Sequence, residues 1–179
     1  GKTGGPFEMA QLWVNLPAKD KMTAPGYQAI TGAQIPAVAL PGDAGTVRVI
    51  AGESLGQSAV IETHTPILYL HFMLMPDGSI VQPVPADFNV LAYVIRGQLR
   101  AGDERIVVSE GQMALFGSGG AVRLAVEDKA GEPAELLLLA GRPLNEPVER
   151  YGPFVMNTRQ EIIQAIRDYN EGRLGKIDF

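Results

Sequence analysis

Short apolar runs, cut at close intervals by glycine and proline, are what most limit the fold of this 179-residue chain. The 21 glycines and 13 prolines exceed average usage but follow no collagen-like period. Between them lie runs rich in β-branched and aromatic residues, the signature of an all-β fold. The pattern predicts strands at Met9–Leu16, Val47–Ala51, Leu68–Met75, Ile80–Val84, Asn89–Arg96, Arg105–Val108, Gln112–Phe116, Ala121–Val126 and Leu136–Ala140. Alternation assigns faces. Leu68, Leu70, Phe72 and Leu74 share one side of their strand, with Tyr69, His71 and Met73 on the other. Val122, Leu124 and Val126 share a side in the same way.

Turn chemistry supports this division. Pro76-Asp77-Gly78 suits a tight reversal, because Asp-Gly supplies the positive φ it needs. Arg96-Gly97-Gln98 with Ala101-Gly102-Asp103 fits a hairpin, and Ser109-Glu110-Gly111 and Gly117-Ser118-Gly119-Gly120 mark two further reversals. The segment Ala18–Pro41 reads as a loop-rich connector with a weak helical turn at Tyr27–Ile30. One convincing helix, Thr158–Asn170, closes the chain. Thr158-Arg159-Gln160-Glu161 is a capping box, Ile162, Ile163, Ile166 and Tyr169 form an apolar stripe, and Gly172 is a plausible stop.

Length suits one domain, or one domain with an appendage, and 46% apolar against 20% charged residues argues for a packed core rather than disorder. A net charge of −5 and the lack of any Lys/Arg-rich stripe leave no electrostatic footprint for nucleic acid. With no cysteine, disulfides, thiolate metal sites and cysteine nucleophiles are excluded. The longest plainly apolar run, Leu136–Ala140, is far short of the ~20 residues that span a bilayer, so a cytoplasmic location is expected. The chain lacks an initiator Met and starts almost at once with a strand-like stretch, so we expect the second half of a longer protein.

Chemistry-bearing residues are few. The two histidines, His64 and His71, cannot build a three- or four-imidazole site in one copy. His64, two residues from Glu62, reads as a solvated loop residue, and His71 as a hydrogen-bonded, half-buried strand residue. Ser118 is no nucleophile elbow, since Phe116 stands where that motif needs glycine, and the glycines around it precede a strand rather than a phosphate-cradling helix. Asp103-Glu104 and Glu127-Asp128-Lys129 read as solvated turn tips, and Trp13 as core or interface.

The spacing around Gly97 resembles that of small cupin barrels. These place a His-x-His pair, then a Glu, then a Gly seven residues on, followed by a Gly-led stretch with a final His. Gly97 and Gly111 fit the two glycines. Counting from them, the Glu position is Val90, the His-x-His positions are Pro83-Val84-Pro85, and the last His position is Val122. None carries a side-chain donor. The expected fold is therefore an all-β cupin, a jelly-roll (double-stranded β-helix) barrel, with a C-terminal α-helix and no metal centre of its own.

Longer motifs resemble the pirin family. They are Gln11-Leu12-Trp13-Val14-Asn15-Leu16-Pro17, Pro25-Gly26-Tyr27-Gln28, Ile35-Pro36, Thr65-Pro66-Ile67-Leu68-Tyr69-Leu70, Gly141-Arg142-Pro143-Leu144-Asn145-Glu146-Pro147 and Gly152-Pro153-Phe154-Val155-Met156-Asn157-Thr158 with Glu161-Ile162. The resemblance runs from about Phe7 to the end. It implies a two-cupin protein whose N-terminal half holds iron, or another divalent metal, through three His and one Glu, none of which maps onto this chain. Pirins are described as dioxygenases opening quercetin-like flavonols and as iron-dependent partners of regulatory proteins. The expected division is residues 1–17 as a strand continuing from an N-terminal cupin, 18–45 as linker, 46–150 as the C-terminal cupin, and 151–179 as helix and tail. No catalytic, cofactor-binding or metal-ligating residue is assigned to this chain. Its expected role is structural and partner-binding, through the missing N-terminal half, self-association or a regulatory protein, without contact to nucleic acid or membrane. The alternative is a part in a quercetin 2,3-dioxygenase.

Overall fold

The computed structural model describes residues 4–5, 8–127 and 131–175. They fall into two compact units, one of Gly26–Asn145 and one that combines Gly1–Pro25 with Glu146–Asp178.

The larger unit contains β1 (Ala37–Ala39), β2 (Gly45–Ala51), β3 (Glu53–Ser54), β4 (Gln57–Ser58), β5 (Ile67–Leu74), β6 (Ser79–Pro83), β7 (Asn89–Arg96), β8 (Gln98–Ala101), β9 (Ile106–Ser109), β10 (Met113–Phe116), β11 (Ala121–Ala125) and β12 (Ala134–Gly141). A six-stranded antiparallel sheet runs β1-β2-β5-β12-β7-β10, and a four-stranded one runs β6-β11-β8-β9. Period-2 alternation sends one row from each sheet into a shared core. Val47, Val49, Leu70, Phe72, Leu74, Val94, Leu136 and Leu138 come from the first sheet, and Leu99 and Leu124 from the second, all essentially without solvent exposure. Each contributes about 1.5–3 kcal/mol through burial. Neither sheet closes on itself, so the expected barrel is in fact a two-sheet sandwich with edges at β1, β10, β6 and β9.

Eight strands of this unit lie within two residues of their expected bounds, with β2 and β12 each starting two residues earlier. The short β1, β3, β4 and β8 were not expected as strands, because ladder partners rather than apolar runs define them. Glu127 is described, whereas Asp128 and Lys129 of the expected charged turn lie outside the described residues.

The smaller unit departs from expectation. Met9–Leu16 forms no strand, and Met9, Leu12, Trp13 and Val14 are exposed. Strand propensity needs a ladder partner, and none is present for it among the described residues. Within 18–41, Tyr27–Ile30 is not helical, while Ala18–Asp20 forms one 3₁₀ turn. β13 (Glu149–Tyr151) and β14 (Phe154–Met156) form a hairpin, and α1 (Arg159–Asn170) packs on it. The capping box is complete: Thr158 Oγ1 accepts from the Glu161 N–H, and Glu161 Oε2 accepts from the Thr158 N–H. The buried face of α1 is Ile162 and Ala165, while Ile163 is largely exposed one position around the helix. Tyr169 meets Phe154 edge-on, with centroids 6.0 Å apart.

Candidate functional site

The positions that carry metal donors in cupins lie on β6, β7, β11 and the residues just after β6. In β7, Val90, Ala92 and Val94 point inward, so Val90 is buried. Val122 of β11 is buried beside them in the same core. Around β6 the sequence count is out of phase with the fold. Pro83 and Pro85 are exposed, whereas Gln82 and Val84 face inward. Because strand side chains alternate, a displacement of one residue exchanges the two faces. The inward set is thus Gln82, Val84, Val90 and Val122, with Gln82 directly across from Val122 in the ladder.

Gln82 is the one polar member, and its groups are already used. Ser54 Oγ donates to Gln82 Oε1 at 2.7 Å, and Gln82 Nε2 donates to the Pro83 carbonyl at 2.9 Å. The other three offer only hydrocarbon. Among the described residues, no group of three or more His, Cys, Asp or Glu comes together to hold a metal ion. These residues do not fit Fe(II) or another divalent metal.

His64 is exposed in its loop, as expected. The neighbouring chain is pinned by Gln28, whose side chain donates to the Glu62 carbonyl and accepts from the Glu62 N–H, each at 2.9 Å. His71 is the half-buried, hydrogen-bonded residue expected, and sequence reasoning did not name its partner. Its Nε2 lies 2.9 Å from Glu135 Oε1, and Glu135 Oε2 accepts from Arg96 Nη1 at 2.8 Å. Arg48 stands opposite His71 in β2. This cluster lies on the outer face of the six-stranded sheet, away from the inward set. Tyr69 shares that face, and burial raises its phenol pKa. Trp13 is 70% exposed and belongs to no core.

Contacts from Asn145 onward account for two long motifs. Asn145 adopts φ +54°, a left-handed conformation that Asn tolerates better than most residues. The next residue, Glu146, accepts at one oxygen, Oε2, from the Ala18 N–H at 2.8 Å and from Asn157 Nδ2 at 3.0 Å. Lys21 Nζ donates to Asn15 Oδ1 and to the Val155 carbonyl. Glu146 and Asn157 therefore tie the Ala18–Asp20 turn to the segment that caps α1. Spacing gave no sign of this, because the partners are 128 and 11 residues apart.

Comparison with known proteins places this arrangement. The family profile described as the pirin C-terminal cupin domain matches residues 69–175. A Pseudomonas aeruginosa protein, named as a candidate quercetin 2,3-dioxygenase, is 44% identical over 171 residues, covering 96% of this chain and 58% of its own length. Human pirin is 40% identical over 172 residues, covering 95% of this chain and 58% of its own length. A crystal structure of a quercetin 2,3-dioxygenase from Acinetobacter baumannii superposes with a TM-score of 0.81 at 37% identity, covering 92% of this chain and 56% of that one. The chain thus spans less than two thirds of the length of these relatives. With more than half of its residues inside the matched domain, the chain belongs to the pirin family and carries that family's C-terminal cupin domain.

Proposed function

We propose that this chain is the metal-free, structural and partner-binding half of a pirin-type protein, supporting an N-terminal cupin that holds the metal. The observation that carries this reading is the replacement of cupin donor positions by Val84, Val90 and Val122 in a hydrocarbon core. The sandwich is then the second of two cupin units, and Fe(II) or another divalent ion belongs to the first. The exposed Met9, Leu12, Trp13 and Val14 offer an apolar surface for the N-terminal half or for a second copy. Metal analysis of the purified chain after incubation with Fe(II) tests it. The expected result is far less than one equivalent bound and no loss of quercetin under oxygen. Tight stoichiometric metal overturns the reading. Light scattering at high concentration should show association, and a strict monomer counts against the apolar surface.

A second reading concerns the intact protein, which would open the flavonol ring of quercetin in a metal-dependent reaction with dioxygen. The names of the Pseudomonas and Acinetobacter relatives favour it. It is tested by supplying the N-terminal half of such a relative in trans. Quercetin consumption that appears only with both halves supports it, and inactivity of the reconstituted, metal-loaded pair counts against it. A regulatory protein as partner is the remaining role, tested by the same pair binding a partner without turnover.

A further inference from the structure

We propose that the open side of the sandwich is a binding site for an uncharged, largely apolar small molecule. β10 ends the six-stranded sheet and β9 ends the four-stranded one. The core is uncovered between these two edges, leaving a cavity of about 930 Å³. That lies at the upper end of the ~300–1,000 Å³ usual for small-molecule sites.

The alternation of these strands gives the cavity an apolar floor beneath a polar rim. Ala101, Val108 and Val122 form a buried floor, Ala114 and Phe116 are half-buried walls, and Ile106 stands exposed at the mouth. Two alanines with short side chains supply the room: Ala101 and Ala114 both occupy inward positions, and Ala114 pairs with a third alanine, Ala92. Val122 is the final-donor position of the cupin spacing and the member of the inward set that lines this cavity, where it offers only hydrocarbon.

The rim sets the charge preference. Asp103, Glu104 and Arg123 surround the mouth. Arg123 Nε donates to Asp103 Oδ1 at 3.2 Å, which offsets the one cation and leaves Glu104 as excess negative charge. A carboxylate or phosphate finds no uncommitted cation there, and moving it onto the hydrocarbon floor is costly. Ser118 and the Gln112 side-chain amide are available for one or two polar groups of a ligand, with Gln112 Oε1 itself taken by the Ser109 N–H. The site needs neither the metal nor the N-terminal half, so it stands or falls apart from the proposed function.

The test titrates the full 179-residue chain with neutral N-phenyl-1-naphthylamine and with the anionic 1-anilinonaphthalene-8-sulfonate, followed by fluorescence. The expected result is saturable one-to-one binding of the neutral dye, with the sulfonate at least about tenfold weaker. Amide shifts in the wild-type chain should be confined to β8, β9, β10, β11 and the turns that line the cavity, Gly102–Glu104 and Gly117–Gly119. Ala114→Phe fills the cavity and should weaken the neutral dye by about tenfold or more, as should Ile106→Asp at the exposed mouth, which places little demand on folding. Val81→Ser, on the exposed outer face of β6 and outside the cavity lining, should leave binding within about twofold. Absence of saturable binding, equal affinity for both dyes, or shifts elsewhere overturns the proposal. So does loss through Val81→Ser with Ile106→Asp unaffected.

Discussion

Ser54 Oγ lies 2.7 Å from Gln82 Oε1, and these two are the buried polar side chains among the described residues. Each side chain satisfies the other inside an otherwise apolar core. Ser54→Ala leaves the Gln82 oxygen without its donor and should cost about 1–3 kcal/mol in urea denaturation. Gln82→Leu should cost a similar amount by stranding the hydroxyl. The double variant should be more stable than the sum of the two losses predicts, because neither polar group then remains unpaired. Simple additivity would mean that the pair is not coupled.

The two cupin-spaced glycines do different physical work. Gly97, at the β7–β8 turn between the sheets, has φ +78°, and a Cβ there would sit 2.6 Å from the Pro133 carbonyl oxygen. Gly111 has φ +75° with nothing within 4 Å of that position. Gly111→Ala should cost about 1 kcal/mol from backbone strain, and Gly97→Ala more than about 2 kcal/mol, since the carbonyl must also move. Thermal melts of the two variants compare them. Equal losses would rule out a steric role at residue 97.

Glu135 bridges His71 and Arg96, with its side chain 14% exposed. Glu135→Ala should destabilise by about 1–2 kcal/mol, chiefly through the half-buried His71 bond. The Arg96 arm is largely solvated and should add little. The loss should therefore change little between low and high salt in denaturant titrations. A loss that disappears in high salt would assign it to the surface arm.

Asp168 lies at the end of α1, where hydrogen bonds from Arg173 first, then from Gln164, lower its carboxyl pKa. A carboxyl held low when folded favours folding above the ordinary carboxylate range and loses that contribution as pH falls through its folded value. Arg173→Ala should raise the Asp168 midpoint toward the ordinary range, read by carboxyl-carbon NMR titration. An unmoved midpoint would show that the Arg173 bonds do not form in solution.

Much of the sandwich was legible in the sequence because period-2 alternation is a local property. Leu68, Leu70, Phe72 and Leu74 had to face one way whatever they packed against. The capping box of α1 was legible for the same reason, since its two bonds lie within four residues. Met9–Leu16 failed because a strand exists only when another chain segment completes its ladder, and apolar composition does not say whether one does. The donor positions were legible in chemistry but not in phase. Counting from Gly97 landed on Pro83 and Pro85, while the fold turned Gln82 and Val84 inward.

The sequence by itself determined the alternating strands, the absence of thiolates and the presence of only two imidazoles, and the helix start, because each depends on residue type and near-neighbour spacing. Only the tertiary structure decided that Ser54 would satisfy Gln82, that Glu135 would join His71 to Arg96, that Glu146 would reach back to Ala18, and that β9 and β10 would leave the core open. Those outcomes depend on which distant segments meet, and no local pattern encodes that distance.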